Sequence, residues 1–181
     1  MQDESDLVGR ARQGDQEAFG RLYDEYFDRI YRYIYLKTGS QTEAEDMAQQ
    51  VFINAFQSIA SFRLRENTPF SAWLFRIAHN QVVDHLRRRV RRPTTVLDEA
   101  ITAGSLDDPA QTAEQTLDIE HLSAALAKLT PAQQEVISLR FTSGLSLAEV
   151  AGIMGRSVGA VKALQHSAVA SLRRELAWGE Q

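Results

Sequence analysis

Cysteine is absent from all 181 positions of the chain. Its absence excludes disulfide bonds, thiol catalysis and zinc sites with cysteine ligands. Long apolar runs are absent too: none reaches the 18 residues typical of a transmembrane helix, and the amino terminus lacks the features of a secretory signal peptide. Because 44% of the residues are hydrophobic, the chain can still bury a core. We therefore expect a soluble cytoplasmic protein of one domain or two small ones.

Positive charge is concentrated in one segment, although the formal net charge of the whole chain is −4. Residues 61–92 carry 8 basic and 2 acidic side chains, whereas residues 93–130 carry 1 basic and 7 acidic side chains. Five arginines lie between Arg87 and Arg92, where they repel one another unless an anionic partner is present. We interpret this arginine cluster as a nucleic-acid surface; the alternative is a solvated helix end, which the helix dipole also favours.

The segment before the arginine cluster, WLFRIAHNQVVDHL, combines aromatic, amide and arginine side chains. Such groups offer stacking platforms for unpaired bases and charges for phosphates. Trp73 and Phe75 are the candidate platforms, although Trp73 fits a core position better.

Apolar residues recur at three- and four-residue steps, which predicts an all-α fold. A first helix covers residues 18–34, and a second begins at Thr42, whose hydroxyl and Glu45 form a predicted capping box. A third helix has Pro69 at its first position, after a threonine cap, and ends at Pro93.

Residues 93–112 are polar and acidic and show no helical period, which predicts a flexible linker. The linker divides the chain into two small helical domains, residues 1–92 and residues 113–181.

Helical signal returns in the second domain, where Thr130 with Gln133 and Ser146 with Glu149 form two further predicted capping boxes. Near Gly155 a short helix, a turn and a longer helix follow one another, which is the helix-turn-helix pattern. The second helix of such a unit presents its outward side chains to base edges in the major groove of DNA.

Apolar spacing decides which residues of that last helix face inward and which face DNA. The inward set is predicted to be Val158, Val161, Leu164, Ala168 and Leu172; Phe141 is likewise expected inward on an earlier helix. The outward residues and the turn residues, which are the candidates for DNA contact, are Arg156, Ser157, Lys162, Ala163, His166 and Ser167.

Four segments in order resemble the small, two-domain sigma factors of bacterial RNA polymerase known as the extracytoplasmic-function (ECF) type, of the sigma-70 family. DQEAFGRLYDEYFDRIYRYIY resembles the first helix of the region 2 domain, and TEAEDMAQQVFINAF resembles the helix that docks on the β′ clamp helices of core polymerase. PFSAWLFRIAHNQVVDHLRRR resembles the helix that melts and reads the −10 element, and LTPAQQEVISLRFTSGLSLAEVAGIMGRSVGAVKAL resembles region 4, which reads the −35 element. The likeness covers about residues 15–176.

The resemblance implies a factor that binds core RNA polymerase and directs promoter-specific transcription initiation. It implies a region 2 helical bundle and a region 4 helix-turn-helix on either side of the linker, which threads the polymerase channel. The implied partners are promoter DNA, the β′ clamp helices, the β subunit and an anti-sigma factor, with no membrane, small-molecule substrate, cofactor, metal or catalytic residue.

The resemblance also assigns roles to single residues of the first domain. Asp84 orients the arginines, Arg87 and Arg88 hold phosphates, and the loop FRLRENTP captures a base flipped out of the duplex. The implied polymerase-binding residues are Asp46, Gln49, Gln50 and Phe52. The implied −10 contacts are Arg63, Arg65, Asn67, Arg76, Asn80, Asp84, Arg87 and Arg88.

Two departures from the family pattern stand out. The docking motif continues Gln49-Gln50 rather than Gln-Glu, with one charge fewer. The recognition helix, VKALQHSAVASL, lacks the usual arginines and leaves Lys162 and His166 as its main outward donors.

Two other functions fit parts of the sequence. A stand-alone helix-turn-helix regulator uses the second domain but gives the docking segment no role. A metal hydrolase built on His79, Asp84 and His85 lacks further clustered ligands, so we do not favour it.

Overall fold

The computed structural model describes residues 3–62, 68–91 and 125–178, and helices account for almost all of them. We number the helices α1 to α7, and a 3₁₀ turn, Ile59–Ser61, follows α3. Their bounds are α1 Glu4–Arg12, α2 Gln16–Thr38, α3 Gln41–Ser58, α4 Phe70–Arg91, α5 Pro131–Ser143, α6 Leu147–Met154 and α7 Val158–Trp178. The all-α prediction is confirmed. Among the helices within these ranges, none combines the length and the apolar character that crossing a membrane requires.

Helix α1 was not predicted from the sequence, because its buried face has only Leu7, Val8 and Ala11. The turn that follows it is fixed by Asp15, whose carboxylate accepts the backbone N–H groups at the start of α2 and pairs with Arg10 at 2.7 Å. The pKa of Asp15 is lowered, mainly because its carboxylate accepts the backbone N–H of Ala18 in the first turn of α2 and secondly because it accepts a hydrogen bond from Arg10.

Two predicted helix starts are wrong by one or two residues. Gly39 ends α2 in the left-handed conformation, with φ of 69°, so the next residue, Ser40, becomes the cap of α3 instead of Thr42. The carbonyl oxygen of Pro69 accepts the N–H of Trp73, so α4 begins one residue after that proline.

The capping boxes predicted for the second domain are confirmed. In α5 the pair is Thr130 and Gln133, and in α6 it is Ser146 and Glu149. Both boxes satisfy amide groups locally, which explains why local sequence was enough to locate them.

Some predicted inward residues are exposed. Phe141 is 77% exposed and Val158 is 47% exposed. These predictions are wrong because helical period identifies an apolar stripe but not the width of the surface that covers it.

The two halves of the described chain, α1–α4 and α5–α7, pack against each other. Helix α2 lies along α5, and α4 contacts both α5 and α6. Arg29 meets residues at the carboxyl end of α5 while Lys37 meets its amino end, so α2 and α5 run antiparallel. One core continues across the boundary and includes Val136 and Leu139 from α5 together with the aromatic core of the first half.

The predicted linker, residues 93–112, lies outside the described residues, as do Arg92 and the loop arginines of the first domain. The division of the chain at 92 and 113 therefore remains a prediction.

Candidate nucleic-acid and docking surfaces

The carboxyl-terminal half of α4 carries a stripe of exposed polar residues. Asn80, Asp84, Arg87 and Arg88 are all exposed. Asp84 is four residues after Asn80, and Arg87 and Arg88 are three and four residues after Asp84, so the four share one face of the helix. The opposite face is buried through Ala78 and Val82. The α4 stripe therefore offers an amide, a carboxylate and several guanidinium groups to a single partner.

The aromatic residues of α4 belong to the core and not to this stripe. Phe75 is fully buried, so it cannot stack on a base, and that part of the prediction is wrong. Trp73 is partly buried against Phe62, with ring centroids 4.8 Å apart, and against Phe70, which agrees with the core position favoured for it.

Arg76, another predicted −10 residue, lies on α4 four residues before Asn80. Arg76 is exposed, but its guanidinium lies against α6 at Gly152, where a Cβ atom would come within 3.5 Å of its Nη2. Arg63, Arg65 and Asn67 fall outside the described residues.

The helix-turn-helix has the predicted geometry. Gly155 ends α6 with φ of 63°, and the hydroxyl of Ser157 accepts the N–H of Ala160 at 3.2 Å and so caps α7. Val161 and Ala168 are fully buried against the rest of the second half. The residues predicted to face DNA are all exposed: Arg156, Ser157, Lys162, Ala163, His166 and Ser167.

Two details of α7 were not predicted. Ser167 accepts a hydrogen bond from Gln133 at 2.8 Å, so its hydroxyl already has a partner on α5. Val158, assigned inward, lies exposed four residues before Lys162 and therefore adds a methyl-bearing side chain to the same outward face.

Helix α3 has an exposed docking stripe formed by Asp46, Gln49, Gln50 and Ile53. Ile53 is 49% exposed and was not among the predicted docking residues. Its position seven residues after Asp46, on the same face, is the sequence signal that could have identified it.

Phe52, predicted to bind polymerase, lies in the core and is only 3% exposed. Its ring packs edge-on against Tyr23 at 4.7 Å and lies near Phe27. Any contribution of Phe52 to docking is therefore indirect, because the side chain holds α3 on α2 instead of reaching a partner.

A buried polar cluster joins the two halves, and sequence reasoning missed it. Glu135 of α5 contacts Lys37 Nζ at 2.7 Å, His79 Nδ1 at 2.8 Å and the Tyr33 hydroxyl at 2.6 Å. The Lys37 and Glu135 side chains are only 8% and 10% exposed. Since an ionised carboxylate can only accept, the hydroxyl of Tyr33 donates to it and His79 carries a proton on Nδ1. We call these four residues the interhalf cluster.

The electrostatics of the interhalf cluster favour an ionised Glu135. Burial by itself would raise its pKa, but the hydrogen bond from His79, the charge and hydrogen bond of Lys37 and the hydroxyl of Tyr33 outweigh burial and lower the pKa to about 2. The pKa of Tyr33 is raised well above its ordinary value, mainly because the hydroxyl is buried and secondly because the negative charge of Glu135 lies beside it.

The two histidines of the metal hypothesis face glutamates in separate places. His79 belongs to the interhalf cluster, and His85 faces Glu43 on α3 at 3.4 Å. Over residues 3–62, 68–91 and 125–178, no three histidine, aspartate or glutamate side chains are grouped in a way that could hold a metal ion.

Comparison with known proteins identifies the family. The model of Sigma-70 region 2 matches residues 22–92, and the model of Sigma-70 region 4 matches residues 125–174. The chain belongs to the ECF RNA polymerase sigma factors of the sigma-70 family, which direct transcription initiation and are non-enzymatic subunits of the polymerase. The predictions of this family, of its function and of the lack of catalysis are thereby confirmed, and neither the hydrolase nor the stand-alone regulator is supported.

Individual relatives place the chain more closely within the family. It is 34% identical to the ECF RNA polymerase sigma factor SigW of Bacillus subtilis, over 93% of this chain and 94% of SigW. It is 41% identical to the ECF RNA polymerase sigma factor BldN of Streptomyces coelicolor, over 94% of this chain but only 65% of the length of BldN. Among solved structures, CnrH in complex with the cytosolic domain of CnrY matches with a TM-score of 0.69 and 27% identity, over 94% of each chain.

Proposed function

We propose that this sigma factor docks on the β′ clamp helices of core polymerase through α3, reads the −10 element through α4 and reads the −35 element through α7. The observation that carries the proposal is the α4 stripe, which is exposed along one face while the opposite face is buried. A cytoplasmic location and the division into residues 1–92, 93–112 and 113–181 belong to the same proposal.

The chemistry of the α4 stripe suits a promoter strand. Arg87 and Arg88 each supply a charge that neutralises backbone phosphate, which gives affinity that depends on salt. Asn80 offers an amide that can pair with a base edge, the kind of contact that distinguishes one base from another. Arg63, Arg65 and Asn67 complete the proposed −10 contacts on the loop before α4.

The proposed −35 surface is less basic than the α4 stripe. Lys162 and His166 are its outward donors, and the start of α7 with Arg156 and Ser157 is placed to hold a phosphate. Ala163 and Val158 present apolar groups, which suit contact with a thymine methyl.

The docking stripe suits a protein partner. Exposed amides and a carboxylate surround Ile53, and an apolar side chain within a polar rim is the usual arrangement at the centre of a protein interface. We assign Asp46, Gln49, Gln50 and Ile53 to direct contact with the β′ clamp helices and Phe52 to supporting that helix face. The β subunit is the proposed partner of the second half.

An anti-sigma factor is a further proposed partner. CnrH of Cupriavidus metallidurans, which shares the fold, was solved in complex with the cytosolic domain of CnrY. A second protein bound across this chain in a similar way would restrict its access to polymerase.

The experiment compares promoter binding by reconstituted holoenzyme with the wild-type chain and with Arg87→Ala combined with Arg88→Ala. The slope of log affinity against log salt should fall by up to about two contacts in the double variant. The matched control is Arg173→Ala with Arg174→Ala, an exposed arginine pair about 16 Å along α7 from Lys162. An unchanged slope in the α4 variant, or an equal decrease in the control, would contradict the proposed −10 contacts.

A further inference from the structure

The interhalf cluster is formed from both halves of the chain. Tyr33 and Lys37 come from α2, His79 comes from α4, and Glu135 is the residue contributed by α5. The donor atoms of the other three residues lie 2.6 to 2.8 Å from the carboxylate oxygens of Glu135, so the carboxylate receives three donors in good geometry. Taking two opposite charges out of water is costly, and this geometry is what offsets the cost.

A second contact, in which the first half again donates and the second half accepts, lies at the carboxyl end of α5. The Nε atom of Arg29 donates to the carbonyl oxygen of Thr142 at 3.2 Å, and its Nη2 donates to the carbonyl oxygen of Ser143. The first half thus presents cations and donors, and the second half presents a carboxylate and the carbonyl groups at a helix end. This complementarity, together with the continuous core, specifies one way for the halves to pack.

The packed halves cannot read both promoter elements at once. The −10 and −35 elements are about 25 base pairs apart, which is about 85 Å at 3.4 Å per base pair. A compact body of about 140 residues has a radius of gyration of about 14 Å and is about 40 Å across. The surfaces on α4 and α7 must therefore separate before each reaches its own element.

The closed packing also involves α4, the proposed −10 helix, at Arg76 and His79. His79 lies directly before Asn80 on α4, so the interhalf cluster adjoins the proposed −10 residues of that helix. The guanidinium of Arg76, a predicted −10 contact, lies against α6 at Gly152, although the side chain is exposed.

We propose that this structure is an autoinhibited, closed state of the sigma factor, locked by Glu135 between Lys37, Tyr33 and His79. Withdrawal of that carboxylate releases the second half and permits both promoter elements to be read. The inference rests on the proposed function, because the spacing of the two elements is what makes the closed state inactive.

The lock is tested on the full chain by fluorescence energy transfer. Since the chain has no cysteine, Asp24→Cys on α2 and Ala170→Cys on α7, both exposed, create two unique labelling positions. The wild-type chain should show mostly the short distance. Glu135→Gln, which keeps the shape but removes the charge, should raise the ratio of open to closed molecules about tenfold or more.

The matched control is Glu175→Gln. Glu175 pairs with Lys128 at the surface of the second half, so this variant also removes a carboxylate facing a lysine, but not between the halves. It should keep the wild-type distance distribution. Lys37→Gln removes the positive charge that pairs with Glu135 from the first half, so it should open the chain as Glu135→Gln does. Circular dichroism establishes that each variant keeps its helices.

Transcription with core polymerase supplies the second readout. The open variants should reach half-maximal run-off transcription at a lower concentration of sigma factor than the wild-type chain and the control. Wild-type distances in both lock variants, or an already open wild-type chain, would overturn the proposal, as would opening without any gain over a wild-type chain that itself supports transcription. Opening of the variants with no transcription from either the wild-type chain or the open variants would support the lock and instead contradict the proposed function.

Discussion

Replacing Glu135 with alanine removes the carboxylate that pairs with Lys37 and His79 in the contact between the halves. The Lys37 side chain, only 8% exposed, then loses its acceptor while remaining shielded from water. Breaking a buried ion pair by removing one partner costs about 3–5 kcal/mol. We expect the free energy of unfolding to fall by that amount.

The lowered pKa of Glu135 corresponds to an energy of similar size. Its pKa is about 2 in the folded chain against an ordinary value of 4.5. Each pKa unit corresponds to about 1.4 kcal/mol, so the difference amounts to about 3 kcal/mol. Because the folded pKa is lowered, this stabilisation is complete above about pH 4.5 and is lost as the pH falls towards 2.

Urea unfolding followed by circular dichroism, repeated from pH 7 down to pH 3, measures both effects. Glu135→Ala should be less stable at neutral pH and should lose less stability on acidification than the wild-type chain. Glu135→Leu with Lys37→Met, which replaces both charges by apolar groups of similar size, should recover most of the loss. A loss below about 1 kcal/mol in Glu135→Ala is typical of a surface pair and would contradict a buried, stabilising ion pair between the halves.

Three further predictions concern the recognition and docking surfaces. Lys162→Ala and His166→Ala should each weaken binding of holoenzyme to −35 DNA by about tenfold and leave core polymerase binding intact; unchanged promoter affinity in both would contradict the assignment of α7. Ile53→Asp should lower affinity for core polymerase by about tenfold or more, because it places a charge at the centre of the docking stripe. The control Leu176→Asp, at another exposed apolar site, should not lower that affinity. Equal affinities of the two variants would exclude α3 as the docking helix. Gly155→Ala should destabilise the chain by about 1 kcal/mol, because a residue with a Cβ is strained at φ of 63° although the space around it is open; an unchanged denaturation midpoint would argue against this turn.

The parts of the fold that were predictable from sequence depend on local chemistry. The capping box of Thr130 and Gln133 uses groups three residues apart, so the sequence contains everything that forms it. The cap of α3 was misassigned because Thr42 and Ser40 are both hydroxyl residues followed by a glutamate three positions later. The left-handed Gly39 decides between them, and its conformation is a property of the folded turn.

The parts that were not predictable depend on what covers a surface. Phe141 continues the apolar period of α5, yet no neighbour in the described part of the chain encloses it, and it remains 77% exposed. Glu135 resembles an ordinary polar residue in the second turn of a helix, and its partners Lys37 and His79 are far away in sequence. The α4 stripe could be predicted because the resemblance to a family supplied the face, whereas the interhalf cluster depends on how two separate halves meet.

Run-off transcription tests the central claim, that this chain directs core polymerase to promoters through regions 2 and 4. Purified bacterial core polymerase is assayed with and without the full chain on fragmented genomic DNA, and the start sites of new transcripts are mapped. Discrete transcripts that depend on the chain are expected, with two common sequence elements near −10 and −35 upstream of their starts. Failure of the chain to bind a matched core polymerase, with no new transcripts, would contradict a sigma-factor function.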